Sequence, residues 1–130
     1  MSKVFTSLEF QAALNELSRD IHANNTHWWT DLYTGEPLYD RPSIVPEKMM
    51  LIVREVSEAL EGHRKGLKDD KLPHRSMFEV EMADALIRLM DLCAAYKLDL
   101  GGAVMEKIEF NKIREDHTDA HRKAPGGKAY

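Results

Sequence analysis

An all-α fold is what this 130-residue sequence predicts, and three observations predict it. Apolar residues recur at helical spacing in four segments, no segment alternates convincingly with period two, and clusters of Gly, Pro, Asn and Asp separate the segments. Four helices joined mostly by short turns suggest a bundle. The length fits one domain spanning residues 1–130, large enough to bury a core without disulfides or a structural metal.

The first helical pattern runs from Ser7 to Ala23, with Phe10, Leu14, Leu17 and Ile21 as its apolar stripe and Asn24-Asn25 inviting termination. Residues 24–45 read as irregular. Thr34-Gly35-Glu36-Pro37 and Arg41-Pro42-Ser43 are turn signals, interleaved with Trp28, Trp29, Tyr33 and Tyr39. A structureless loop of that length is either functional, such as a lid, or conceals an element. The second helix begins near Pro46, a residue suited to a first helical turn, and runs to about Lys65. Gly66 to Pro73 breaks it. The third runs from the N-cap candidate Ser76 to about Lys97, and Asp99-Leu100-Gly101-Gly102 forms the next break. A fourth covers Ala103 to Asp116, and residues 117–130 read as an extended tail.

Composition narrows the function classes. A formal net charge of −4 argues against a nonspecific nucleic-acid binder, which normally presents a basic surface. It leaves anionic small substrates open, because bound divalent cations invert a local field. No apolar run is long enough to cross a bilayer, and the N-terminus lacks the pattern of a signal peptide. A lone Cys93 in an apolar segment points to a reducing compartment, so a cytoplasmic location is expected.

The chemistry concentrates on the second and third helices. Glu55 and Glu58 are three residues apart, as are Glu81 and Asp84, so each pair presents two carboxylates on one helical face. The third helix is apolar around most of its circumference, while Glu81, Asp84, Arg88 and Asp91 share a strip of only about 80°. Such a helix is expected to be buried on most sides, so its acids face a narrow solvent strip or an internal polar cavity. Two facing pairs would carry four negative charges, which two Mg²⁺ ions balance; oxygen clusters of this kind suit Mg²⁺ or Mn²⁺. A solvated acidic face is the alternative for either pair taken alone.

Glu55-Val-Ser-Glu58, a 22-residue gap and Glu81-Met-Ala-Asp84 resemble the Glu-x-x-Glu…Glu-x-x-Asp signature of the MazG-like nucleotide pyrophosphohydrolases. Their superfamily also holds dimeric dUTPases and phosphoribosyl-ATP pyrophosphohydrolases. Lys107-Ile-Glu-Phe-Asn111-Lys-Ile-Arg114 is similar to the family's Lys-x-x-x-Asn-x-x-Arg pattern on the next helix. Glu61-Gly-His-Arg-Lys65, Asp69-Asp-Lys-Leu-Pro-His-Arg75 and Gly126-Gly-Lys128 look like a single-domain subgroup common in bacteria and phages. The resemblance covers Pro46 to Tyr130.

It implies the all-α NTP pyrophosphatase fold and Mg²⁺-dependent hydrolysis of a nucleoside or deoxynucleoside triphosphate to monophosphate and pyrophosphate. Glu55, Glu58, Glu81 and Asp84 would be the metal ligands, with Glu58 also accepting the proton of the attacking water. Lys107, Asn111 and Arg114, at i, i+4 and i+7 of one helical face, would contact phosphates or sugar. Arg64 and Lys65 either add to that contact or are helix-end cations favoured by the macrodipole. Trp28 and Trp29 either stack on a base or pack beneath the loop. The six histidines show no metal-ligand spacing, and His22 and His63 read as surface or helix-end residues. The cover missing from the third helix would come from another copy, in a homodimer or homotetramer. Other enzymes of the superfamily, dUTPase-like or acting on phosphoribosyl-ATP, and a non-catalytic helical interaction protein are the competing readings.

Overall fold

A computed structural model describes residues 6–130. They form α1 (Ser7–Asn25), α2 (Ile44–Lys65), α3 (Met77–Ala95), α4 (Leu100–Ile113) and α5 (Asp119–Lys123), with 3₁₀ turns at Thr26–Trp29 and Glu115–His117. Pairing of β type among the described residues is confined to two isolated bridges, Thr30 with Pro37 and Lys68 with Ser76. The chain is therefore all-α, as its periodicity predicts. No helix among the described residues is long and apolar enough to cross a membrane.

Local chemistry accounts for the helix ends. Thr6 and Glu9 form a reciprocal cap at the start of α1, at 3.1 and 3.2 Å. The predicted cap at Ser76 is present: Glu79 N–H donates to Ser76 Oγ at 3.1 Å, and Ser76 N–H donates to the Glu79 carboxylate at 3.3 Å. Gly66, at φ +62°, closes α2 in the left-handed conformation that a side chain disfavours. Leu67 N–H then reaches back to the Gly62 carbonyl at 3.0 Å.

Several boundaries differ from the sequence expectation. Helix α2 starts at Ile44, two residues before Pro46, because the first-turn N–H that proline lacks needs no intrahelical partner anyway. Helix α4 starts at Leu100 because the Asp99 carboxylate accepts the Gly102 N–H at 2.8 Å. The predicted break at Gly101-Gly102 is thus the first turn of a helix. That helix ends at Ile113 rather than Asp116, and the expected extended tail contains α5. Thr118 caps α5, and Arg122 donates to the Lys128 and Ala129 carbonyls.

The described residues divide into two compact units, residues 15–98 and residues 6–14 with 99–130. In the larger unit α2 packs along α3, and Gly62 permits close approach: a Cβ there would lie 2.7 Å from Met77 Cβ. Its apolar core is Trp29, Ile44 and Leu92, flanked by Leu38, Tyr39, Ile52 and Tyr96. Residues 24–45 do conceal an element. The 3₁₀ turn drives Trp29 fully under the loop, and the following tight hairpin is held by Leu38 N–H to the Trp29 carbonyl at 2.9 Å. Asp31 accepts the Tyr33 and Thr34 N–H groups at 2.9 Å at its tip. The expectation that α3 is buried on most sides does not hold within one chain. Ala85, Met90, Asp91 and Leu92 are buried, whereas Phe78, Met82 and Leu86 are exposed, because α2 covers only part of the circumference.

In the smaller unit, α4 meets the first half of α1 at Gly101, where a Cβ would fall 2.4 Å from the Gln11 carbonyl oxygen. Glycine sits in this helix for proximity. Replacing a helical glycine by alanine ordinarily stabilises by about 1 kcal/mol. Gly101→Ala is expected to do the opposite, lowering unfolding free energy by about 1–3 kcal/mol through the clash, read from urea denaturation. A gain in stability would show that α1 and α4 do not meet there.

Candidate metal centre and adjoining cavity

Helix α2 supplies Glu55 and Glu58, and α3 supplies Glu81, Asp84, Arg88 and Asp91. Packing α2 on α3 turns the two acidic faces together. One carboxylate oxygen each from Glu55, Glu81 and Asp84 lies within 4.8 Å of the others. Glu58 is beside this trio but outside it: its Oε1 accepts from Arg54 Nε at 3.2 Å, and its side chain is 36% exposed.

Crowding perturbs the acids in opposite directions. Burial, a hydrogen bond to Glu55 and the charges of Glu58, Glu55 and Asp84 push the Glu81 carboxyl up to about 7. Asp84 is raised too, by burial first and by Glu55 next, with Arg88 opposing. Burial also pushes Glu55 upward, but hydrogen bonds from Arg88, Glu81 and Glu58 outweigh it and hold this carboxyl below its ordinary range. Glu81 is thus the acid of this cluster whose proton affinity is raised furthest, with Glu55 as its hydrogen-bond partner. Arg88 supplies the other compensation, its Nε donating to Glu55 Oε1 at 2.6 Å. The donor set is all oxygen, clustered and short of positive charge, which fits Mg²⁺ or Mn²⁺.

Glu55 and Asp84 also line a cavity of about 430 Å³, inside the roughly 300–1,000 Å³ range of small-molecule sites. Asn25, Trp28, Lys48, Arg88 and Asp91 line the rest of its polar wall. Lys48 Nζ donates to the Trp28 carbonyl at 2.9 Å and stands 4.6 Å over the Trp29 ring; burial lowers its pKa. Asp91 is buried and held on both oxygens. Trp29 Nε1 donates to Oδ2 at 2.9 Å, and His22 Nδ1 lies 2.8 Å from Oδ1. The other nitrogen of His22 meets the Tyr39 hydroxyl at 2.9 Å, and Tyr39 stacks on Trp29. His22 is therefore a nearly buried link in a polar network. It lies in the last turn of α1, as the helix-end reading expects, but not on the surface: the turn after α1 folds Trp29 and Tyr39 around it.

The remaining predicted residues divide between the two units. Of the two tryptophans, Trp29 is core, while Trp28 is largely exposed at the cavity edge with its ring against His27. Arg64 and Lys65 pair with Glu61 at 3.6 and 2.5 Å on the exposed end of α2, away from the cavity-lining set. Lys107, Asn111 and Arg114 belong to the smaller unit. Lys107 covers the Phe110 ring, and the buried Asn111 Oδ1 has no hydrogen-bond partner among the described residues. Arg114 is the residue that ends α4, with φ −67° and ψ 126°, and Asp116 accepts two hydrogen bonds from its guanidinium.

Lys48, Arg88 and the His22–Asp91–Trp29 network had no role assigned from the sequence. Part of the signal was there. Lys48 precedes Glu55 by seven residues, and Arg88 and Asp91 follow Glu81 and Asp84 by seven, spacings that return to one helical face. Comparisons of the chain with protein-family models, curated proteins and solved structures give no match.

The raised Glu81 carboxyl makes stability depend on pH. The folded chain binds this proton more tightly than the unfolded chain, whose Glu81 titrates near its ordinary 4.5. The contribution is full below that value and is lost as pH rises through about 7. Melting temperature should therefore fall between pH 5 and 8 more steeply in the wild type than in Glu81→Gln. At pH 8 millimolar Mg²⁺ should raise it in the wild type only. Parallel profiles with no metal response would exclude both the raised Glu81 carboxyl and the cation site.

Proposed function

We propose that this chain is a Mg²⁺-dependent nucleotide pyrophosphohydrolase, converting a nucleoside or deoxynucleoside triphosphate to monophosphate and pyrophosphate. The observation that carries the proposal is the meeting of Glu55, Glu81 and Asp84, two of which, Glu55 and Asp84, line a cavity of small-molecule size. The resemblance of the two acidic motifs and the Lys-Asn-Arg motif to the MazG-like family supports it.

Glu55, Glu81 and Asp84 would hold the cation, and Glu81 must give up its proton to do so. Magnesium, when bound, supplies charge neutralisation for the triphosphate and the acidity that makes water a nucleophile at neutral pH. Glu58 stands next to the ligand trio without belonging to it, which suits a base that takes the proton of the attacking water. Trp28 at the cavity edge offers a ring for a base. Lys48, with its ammonium in the cavity wall, suits a phosphate or sugar oxygen. The phosphate or sugar contacts assigned to Lys107, Asn111 and Arg114 rest on the motif.

A hydrolysis screen of ordinary and deoxy triphosphates with Mg²⁺, scored for pyrophosphate against orthophosphate, tests the proposal. Pyrophosphate is the expected product. Glu58→Ala and Asp84→Ala should each lower turnover by about 100-fold or more while leaving the helical circular-dichroism signal intact. Normal turnover in both variants would refute the assignment.

A homodimer or homotetramer is part of the same proposal. Met49, Val53, Val56 and Leu60 form an exposed apolar stripe on α2, and Phe78, Met82 and Leu86 form another on α3. Sedimentation equilibrium should give two or four times the 14.9 kDa chain mass; Val53→Glu with Leu86→Glu should shift it toward one. A monomer at all concentrations would remove this part of the proposal.

A further inference from the structure

We infer that Arg88 is an exchangeable counter-ion of the acidic centre, holding Glu55 while no divalent cation is bound and passing to a phosphate of the nucleotide once one is. The inference rests on the nucleotide reading above and gives a role to a residue that neither acidic motif includes.

The Glu55–Arg88 contact has one fixed end and one free end. The Glu55 side chain is 8% exposed and sits among acids on α2 and α3; the Arg88 side chain is 39% exposed. Its Nε donates to Glu55 at 2.6 Å, and the terminal nitrogens have no hydrogen bond among the described residues. Both residues line the cavity that Asp84 and Lys48 also line. The carboxylate cluster best arranged for a dication thus already has one member engaged by a side-chain cation.

Charge decides which cation wins. A guanidinium brings one delocalised positive charge to hydrogen-bond distance of a single carboxylate. A Mg²⁺ ion brings two charges to about 2.0–2.1 Å from several oxygens at once. With such an ion bound, Arg88 is repelled from Glu55 and stands beside the most anionic part of the substrate. A guanidinium matches phosphate geometry with two parallel donors. Lys48 differs, because it is tied to the Trp28 carbonyl and the Trp29 face and has no carboxylate to exchange.

The exchange predicts effects of opposite sign, which a fixed structural arginine would not produce. By isothermal titration with Mn²⁺ alone, Arg88→Gln should bind at least as tightly as the wild type, by up to about tenfold, since a competing cation is gone. With Mg²⁺ present, its affinity for α,β-methylene analogues of the four deoxynucleoside triphosphates should fall by about tenfold to a hundredfold. Arg88→Lys, which keeps the charge without the fork, should bind Mn²⁺ no more weakly than the wild type and the analogues at least about threefold more weakly. It carries the test should the Gln variant not fold.

Loss of Mn²⁺ affinity in Arg88→Gln, restored in Arg88→Lys, would make Arg88 a fixed orienting partner of Glu55 and overturn the exchange. Unchanged analogue affinity in both variants would overturn it as well. In either case metal and nucleotide binding by the wild type would leave the nucleotide reading standing. A wild-type chain that binds neither Mn²⁺ nor the analogues would overturn both.

Discussion

Three carboxylates brought together by one helix–helix contact are the constraint to which the larger unit answers. Glycine at position 62 lets α2 and α3 approach closely, and the approach places Glu55, Glu81 and Asp84 within a few ångströms of one another. Like charges at that range cannot all stay ionised without compensation. Two compensations act: the raised proton affinity of Glu81, and the Arg88 guanidinium on Glu55. Each is a substitute that a divalent cation can replace. The crowding of carboxylates that calls for these compensations is also what would draw a divalent cation.

The loop after α1 has a second task besides closing the apolar core. Its 3₁₀ turn places Trp29 so that the indole N–H reaches the buried Asp91, which His22 holds from the other side. A buried carboxylate without donors would cost several kcal/mol. With both oxygens occupied, Asp91 can form part of the cavity wall on the same helical strip as Asp84 and Arg88. Rigid support and an open polar wall come from the same residues. The loop, read from the sequence as either a lid or a concealed element, is at Trp29 and Tyr39 part of the apolar core.

How much was legible in the sequence varies with the range of the interaction. Capping at Ser76 and the acidic pairs at i, i+3 could be read directly, because they depend on neighbours within one helical turn. The start of α4 could not be read from its glycines. A Gly-Gly pair breaks a helix by local propensity, and it stands inside one because Asp99 caps Gly102 and Gly101 meets Gln11. His22 looked like a surface residue because its partners lie 17 and 69 residues away in sequence.

What the sequence alone determined is the helical periodicity and the placing of each acidic pair on a single face, since both follow from the 3.6-residue repeat and the chemistry of adjacent turns. Only the tertiary structure decided which acids meet, which one has its proton affinity raised furthest and which arginine answers them. Those outcomes depend on distances and burial between segments far apart in the chain. Spacing along one helix carries no information about the helix it will face.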